Sequence, residues 1–229
     1  MIQPSEIKAV SFDAAGTLIH LTEDVGSSYA KVAARFGIPS DPVKLAAAFR
    51  SVWKNTPPPF SEGPAESDPS EKHWWHRLVH AVFSESGTQL PGKEEFDAFF
   101  EALYLHFEEP GTWVADENAV RVLETISSRF PCVVVSNFDS RLRRILSDLG
   151  LIDHFEEIFL SCELRASKPD PRIFEEACRA LNLAPAEIMH VGDDPVCDWE
   201  GAEAAGFHHF RVGKGQRSLL EILDELSLA

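Results

Sequence analysis

No stretch of the 229-residue sequence approaches the roughly 20 consecutive apolar residues that a membrane-spanning helix requires. Basic residues are scarce as well: 21 Lys and Arg stand against 37 Asp and Glu, leaving a net charge of −16. That balance argues against nucleic acid and anionic membrane as partners, and an anionic substrate would need a local cationic site working against the overall field. Cysteine is limited to Cys132, Cys162, Cys178 and Cys197, with no CxxC pair. All four read as reduced thiols, which speaks against a disulfide framework and a zinc site. The first residues, Met1-Ile2-Gln3-Pro4-Ser5-Glu6, lack a basic region followed by an apolar run, so no secretory signal is visible and the expected location is cytoplasmic. Internal repeats are missing too. What remains is a chain with ordinary globular composition, 44% hydrophobic and 25% charged, long enough for one domain with a sizeable insertion or for two small domains.

Five short apolar runs read as buried parallel strands: Lys8 to Asp13, Cys132 to Ser136, Glu157 to Leu160, Ile188 to Gly192 and Phe207 to Val212. The later ones alternate with helical patterns at Ala119 to Arg129, Arg141 to Leu149, Arg172 to Leu181 and Cys197 to Ala205. This alternation predicts right-handed crossovers and an α/β, doubly wound parallel five-stranded sheet. Between Leu18 and about Thr112 the alternation stops. Four helices are expected there, Gly26 to Phe36, Pro42 to Trp53, Ser70 to Ser84 and Lys93 to Phe107, with no strand. The expected division is residues 1–17 with 113–229 as a Rossmann-like core and 18–112 as an inserted helical bundle. Inside the insertion, the proline-rich stretch from Thr56 to Pro69 is long enough to be either a lid or disordered. The tail from Gln216 to Leu228 reads as a closing amphipathic helix.

Chemistry-bearing residues fall in four clusters, each at the carboxyl end of an expected strand or at the start of the next helix. They are Asp13 with Thr17, Ser136-Asn137-Phe138-Asp139, Ser167-Lys168-Pro169-Asp170-Pro171, and Gly192-Asp193-Asp194 with Asp198. Singly, each is an ordinary cap, turn or solvated lysine. Together on one sheet edge they supply a nucleophilic carboxylate, a hydroxyl, an amide, an ammonium and further carboxylates, in the region where open α/β sheets bind ligands. Such a set suits a phosphoryl group held with Mg²⁺, which prefers oxygen ligands that Asp13 and Asp193 can provide. Asp13 would attack phosphorus and give an aspartyl-phosphate. Thr17, Ser136, Asn137 and Lys168 are the expected phosphate binders, with Lys168 set against the oxygens where transition-state charge accumulates.

These four clusters resemble motifs one to four of the haloacid dehalogenase-like hydrolase superfamily. The likeness covers nearly the whole chain and puts the helical insertion where that superfamily carries its cap. Val25-Gly26-x-x-Tyr29, His73-Trp74-Trp75, Ser136-Asn137-Phe138-Asp139 with Arg141-Leu142, and His190-Val191-Gly192-Asp193 are similar to its REG-2-like branch. The resemblance implies Asp13 as nucleophile and metal ligand, the backbone carbonyl of Ala15 and the carboxylate of Asp193 as further metal ligands, and Asp198 as support for the metal's surroundings. It also implies Ser136 and Lys168 as phosphoryl binders, a small phosphorylated metabolite as partner, and a cap that closes over the site. A monomer or weak dimer is expected.

One position departs from the pattern. Phosphatases of the superfamily carry Asp where this chain has Ala15, so the residue that would protonate the leaving group is missing. Four readings stay open: a phosphatase acting on a good leaving group, with His20, His73 or His76 as a substitute acid; carbon–phosphorus cleavage through a lysine among Lys31, Lys44, Lys54, Lys72 and Lys93; 2-haloacid dehalogenation, against which Asp193 and Asp198 weigh; and a non-catalytic or regulatory binding protein.

Overall fold

The computed structural model describes residues 6–57 and 71–228. Its chain divides into two units, one formed by the chain up to His20 and again from Val114 onward, the other by Leu21–Trp113.

The first unit is built on a parallel sheet. β1 (Ala9–Phe12) is buried along its whole length. β4 (Cys132–Ser136), β5 (Glu157–Leu160), β6 (Ile188–Gly192) and β7 (His208–Arg211) complete the order β5-β4-β1-β6-β7. β1 pairs in parallel with β4 through Phe12↔Val134 and with β6 through Ser11↔His190. The chain therefore fills one side of β1 and then crosses to the other, which makes the carboxyl end of β1 the switch point of a doubly wound sheet. Asp13 is the first residue past that end, and its N–H still donates to Val191 O at 2.9 Å.

The connections show why these residues form helices. α8 (Pro171–Leu181) starts where Asp170 caps the Arg172 N–H and Pro171 occupies the first turn, and it stops at Asn182 in the left-handed conformation, φ 53°. Its apolar stripe, Ile173, Phe174 and Ala177, is buried with Ala9, Val133, Val135 and Ile188 of the sheet. α5 (Ala119–Ser127) and α6 (Leu142–Asp148) likewise bury one face each, and the single turn α7 (Ser161–Leu164) follows β5. After β6 the chain makes a wide π-helical turn, Pro195–Glu200, before the short α9 (Gly201–Ala204). Asp194 caps it by accepting from Val196 and Cys197, and the Trp199 N–H reaches back to Asp194 O. Sequence periodicity had implied a regular helix over Cys197 to Ala205; the π turn replaces its first part and brings Asp198 under the sheet edge.

The second unit holds α1 (Val25–Arg35), α2 (Pro42–Asn55), α3 (Glu71–Glu85) and α4 (Lys93–His106). They share a core of Tyr29, Val32, Leu45, Leu78, Val82, Phe83, Phe99 and Leu103. α1 and α2 approach so closely that a Cβ on Gly26 would lie 2.2 Å from Pro42 O. Trp74 and Trp75 point in different directions, as adjacent helix residues must. Trp74 is buried, Trp75 packs partly buried at the core's margin, and the rings stand edge to face at 5.0 Å.

Two expectations need correction. The segment after Leu18 does contain a strand: β2 (Ile19–Leu21) pairs with β3 (Trp113–Ala115) as the chain leaves the first unit and returns to it. Bonds from Thr22 N–H to Thr112 O and from Asp116 N–H to Leu18 O flank the pair and make it antiparallel. Three residues are too few to show a period, and the strand exists only through its distant partner. The tail is not one helix either. Ser218 caps a single 3-10 turn, Leu219–Glu221, which leads into α10 (Ile222–Glu225), and Ser227 at φ 56° ends it. Its apolar side, Leu219, Ile222, Leu223 and Leu226, is buried as the amphipathic pattern requires. Residues 58–70 of the proline-rich stretch lie outside the described residues.

Candidate active site

All the clustered residues read from the sequence belong to the first unit, at the carboxyl ends of β1, β4 and β6 and on the loop before α8. Asp13 Oδ1 accepts from Ser136 Oγ at 2.9 Å and from Lys168 Nζ at 2.7 Å. Lys168, with a side chain only 1% exposed, also donates to Asp198 Oδ1 at 2.6 Å. A lysine buried this deeply is tolerated because its charge is matched by carboxylates on two sides. Asp198 Oδ2 accepts the Asp194 N–H at 2.9 Å, so both of its oxygens are engaged.

Asp13, Asp193 and Asp198 each offer an oxygen within 4.8 Å of the others. Glycine makes that crowding feasible: Gly16 has φ 92°, and a Cβ there would stand 2.5 Å from Asp193 Oδ2. A Cβ on Gly192 would stand 2.3 Å from Asp198 Cγ. Two of the three carboxylates, Asp13 and Asp198, share the Lys168 ammonium, and the donors are all hard oxygens; this set fits a divalent cation. The titration behaviour agrees. Burial, then the charges of Asp13 and Asp198, push Asp193 up to about 6. Burial likewise raises the Asp13 carboxyl, against the pull of the Lys168 ammonium. For Asp198 burial opposes ionisation but Lys168 and His190 overcome it, and the carboxyl lies far below its usual range. Lys168 is held protonated by the same two carboxylates, which outweigh its desolvation.

Two expected phosphate binders have other partners. Thr17 Oγ1 donates to Asp193 Oδ1 at 3.2 Å. Asn137 turns both ends of its amide to Lys168: its Oδ1 accepts the Lys168 N–H at 2.6 Å and its Nδ2 donates to Lys168 O at 2.8 Å. Its side chain holds the lysine's backbone, and Nδ2 also lies 3.7 Å from Cys197 Sγ. Ala15 bridges to Ile19, and the Ala14 carbonyl accepts from Thr17, Leu18 and Ile19, which fixes the tight turn after Asp13.

Sequence reasoning passed over Ser11 and His190 as functional candidates. Both are fully buried, in the middle of β1 and β6, and Ser11 Oγ is 2.9 Å from His190 Nδ1 while His190 Nε2 is 3.1 Å from Asp198 Oδ1. The available signal was a polar residue in the interior of each of two apolar strands, where an internal partner is required.

Among the histidines considered as substitute acids, His20 belongs to the unit that carries Asp13. It lines a cavity of about 270 Å³ with Gly16 and Thr17, and its Nε2 is 3.3 Å from Asp116 Oδ2. His76 is bound to Asp97 at 2.8 Å in the helical unit, where His73 stacks on it. None of Lys31, Lys44, Lys54, Lys72 and Lys93 is buried, and Lys31 and Lys72 are paired with Glu23 and Glu101.

Comparison with known proteins gives a consistent picture. Haloacid dehalogenase-like hydrolase domain-containing protein 3 of Mus musculus is 34% identical over 208 residues, 90% of this chain and 82% of that protein. The Rhythmically expressed gene 2 protein of Drosophila melanogaster is 28% identical over 89% of this chain and 82% of its own length. The crystal structure of the putative HAD-hydrolase YfnB from Bacillus subtilis, bound to magnesium, superposes with a TM-score of 0.75 at 17% identity, covering 96% of this chain and 99% of that one; at such identity the likeness is one of fold. The model of the haloacid dehalogenase-like hydrolases matches residues 7–206, and with the relative above 30% identity it makes this chain a member of the haloacid dehalogenase-like hydrolase family, in the branch of those two relatives.

Proposed function

We propose that the protein is a Mg²⁺-dependent phosphatase that hydrolyses a small phosphorylated metabolite through an aspartyl-phosphate on Asp13. The observation that carries this reading is the buried group at the end of β1, where Ser136 and Lys168 both donate to one oxygen of Asp13 beside the carboxylate of Asp193. The Asp13 carboxylate attacks phosphorus and the bond to the leaving oxygen breaks. Water then hydrolyses the acyl phosphate, releasing inorganic phosphate and restoring Asp13. The Lys168 ammonium and the Ser136 hydroxyl, already aimed at Asp13, donate to the equatorial oxygens as charge spreads over them. Asp13, Asp193 and the Ala15 carbonyl would hold Mg²⁺, with Asp198 supporting them, and the ion when bound neutralises charge on the phosphoryl oxygens.

Ala15 shapes the substrate. With no acid two residues after Asp13, the leaving oxygen departs without a proton from that position. General acid catalysis contributes about 10²–10⁴-fold, or roughly 3–5 kcal/mol of barrier. Acyl and aryl phosphates, whose leaving groups are stable anions, are therefore the preferred class. Ala15 is also the observation that favours a second reading, a binding or regulatory protein that keeps the pocket and its cation. Carbon–phosphorus cleavage has less support, because no lysine named for it is buried enough for activation. Dehalogenation is disfavoured by Asp193 and Asp198. Phosphate release from acetyl phosphate and 4-nitrophenyl phosphate, with and without Mg²⁺, separates the phosphatase from the other readings. A phosphatase releases phosphate only with metal and Asp13 together, and an Asp13→Asn protein as active as the wild type would refute the covalent route.

A further inference from the structure

The imidazole of His190 joins the two halves of a buried chain that ends on Asp13. In the parallel register Ser11 and His190 stand side by side on β1 and β6. From Ser11 Oγ the chain runs 2.9 Å to His190 Nδ1, from His190 Nε2 3.1 Å to Asp198 Oδ1, from that oxygen 2.6 Å to Lys168 Nζ, and from there 2.7 Å to Asp13 Oδ1. Phe174 closes the site edge to face, with ring centres 5.3 Å apart.

Three proton arrangements of the ring can be compared. With the proton on Nδ1 alone, the Nε2 lone pair would face a carboxylate oxygen. With both nitrogens protonated, a second buried cation would crowd the oxygen that already holds Lys168. With the proton on Nε2 alone, His190 donates to Asp198 and the Ser11 hydroxyl donates to Nδ1, so every polar atom in the chain has a complementary partner. We infer that His190 is a positioning residue: as the Nε2–H tautomer fixed by Ser11, it keeps Asp198 on Lys168 and thereby keeps the Lys168 ammonium on Asp13. The Asp194 N–H holds the other oxygen of Asp198, so the carboxylate is clamped at both ends. Without the imidazole, Oδ1 is held by Lys168 alone, and Asp198 is free to turn toward Asp13 and Asp193, its neighbours in the acidic cluster. The residue thus decides which carboxylate serves the lysine and which ones are left for a cation.

This inference rests on the reading of Asp13 as nucleophile and Lys168 as its partner, so its test has one arm that needs no turnover. The ring nitrogen spectrum of His190 in ¹⁵N-histidine-labelled protein should show a protonated Nε2 and an unprotonated Nδ1, and Ser11→Ala should disturb that pattern. In the second arm, kcat and KM are measured for 4-nitrophenyl phosphate with Mg²⁺. His190→Gln, whose amide places a donor at similar reach, should retain kcat near wild type. His190→Met, of similar bulk without a donor, should lose about 10–100-fold in kcat with KM little changed, the usual effect of removing an outer partner of a metal site. A ring protonated on Nδ1, or on both nitrogens, overturns the inference. So does a folded His190→Met protein with full kcat, or equal losses in the Gln and Met variants, which would mean that the ring only fills space. If His190→Met does not fold, Ser11→Ala decides through the spectrum and kcat together. If wild type and Asp13→Asn are equally inactive, the phosphatase reading has failed, and the ring spectrum alone upholds or overturns the tautomer.

Discussion

Replacing Lys168 with Met removes one positive charge and little volume, and the structure sets the size of the effect. The lysine side chain is 1% exposed, while those of its partners Asp13 and Asp198 are 10% and 2% exposed. Breaking a buried ion pair by deleting one member leaves an uncompensated buried charge and costs about 3–5 kcal/mol. At roughly 2–4 °C per kcal/mol for chains of this size, that corresponds to a fall of about 6–20 °C in unfolding temperature. The pH dependence is the sharper observable. In the wild type the Asp198 carboxyl lies below its unfolded value, so its stabilisation is present above the unfolded pKa and is lost as acid takes the pH down through the folded one. In Lys168→Met the carboxyls lose their counter-charge: Asp198 moves above its unfolded value and Asp13, already raised by burial, moves further up. Their contribution is then greatest in acid and is lost as pH rises through the raised pKa. The two proteins should therefore be closest in stability in acid and furthest apart at neutral pH. Urea unfolding across that range, with Lys168→Met/Asp198→Asn alongside, measures it. A loss independent of pH, or a double variant no more stable than the single one at neutral pH, would refute the charge argument.

Ala15→Asp should raise the rate on alkyl phosphates by up to about 10²–10⁴-fold while changing aryl phosphate hydrolysis far less; no gain would mean that a missing acid is not what limits the enzyme. Gly16→Ala forces a left-handed backbone on a Cβ that would overlap the Asp193 carboxylate; it should cost about 1–3 kcal/mol in urea unfolding and weaken Mg²⁺ binding in calorimetry. Burial pushes the Cys132 and Cys197 thiols up to about 12 and Cys162 up to about 11, so iodoacetamide should label them slowly at neutral pH until urea unfolds the chain. Rapid labelling of the native protein would contradict the packing around them.

The parallel sheet was legible because its strands are short apolar runs separated by helical periods. β4, β5 and β6 span the residues read for them, whereas β1 and β7 are shorter by a residue at each end. β2 was hidden because its three residues carry no pattern of their own, and the π turn was hidden because the apolar spacing of Cys197 to Ala205 does not report which carbonyl each N–H selects. At the site, the nearness of Asp13, Ser136, Lys168 and Asp193 followed from four polar clusters at strand ends. Which hydroxyl or amide bonds to which partner did not follow. Thr17 and Asn137 are short polar side chains that bond nearby groups as readily as a ligand, and only geometry shows that they meet Asp193 and the Lys168 backbone. Ser11 and His190 were visible as residues but not as a pair, since strand register decides that they are neighbours.

The pair of hydrogen bonds between the Asn137 amide and the Lys168 backbone has a consequence for how this fold can diverge. By offering a carbonyl to the lysine's N–H and an N–H to its carbonyl, the amide imitates a rung of a sheet ladder and stitches the Lys168 segment to the end of β4. The lysine's place relative to Asp13 is then set by this stitch and by its own ion pairs with Asp13 and Asp198, more than by the helix, strand and loop that lie between Asn137 and Lys168 in sequence. The loops of that stretch, outside β5 and the buried face of α6, can change in length while the ammonium keeps its address, so drift in the connection is uncoupled from drift at the site.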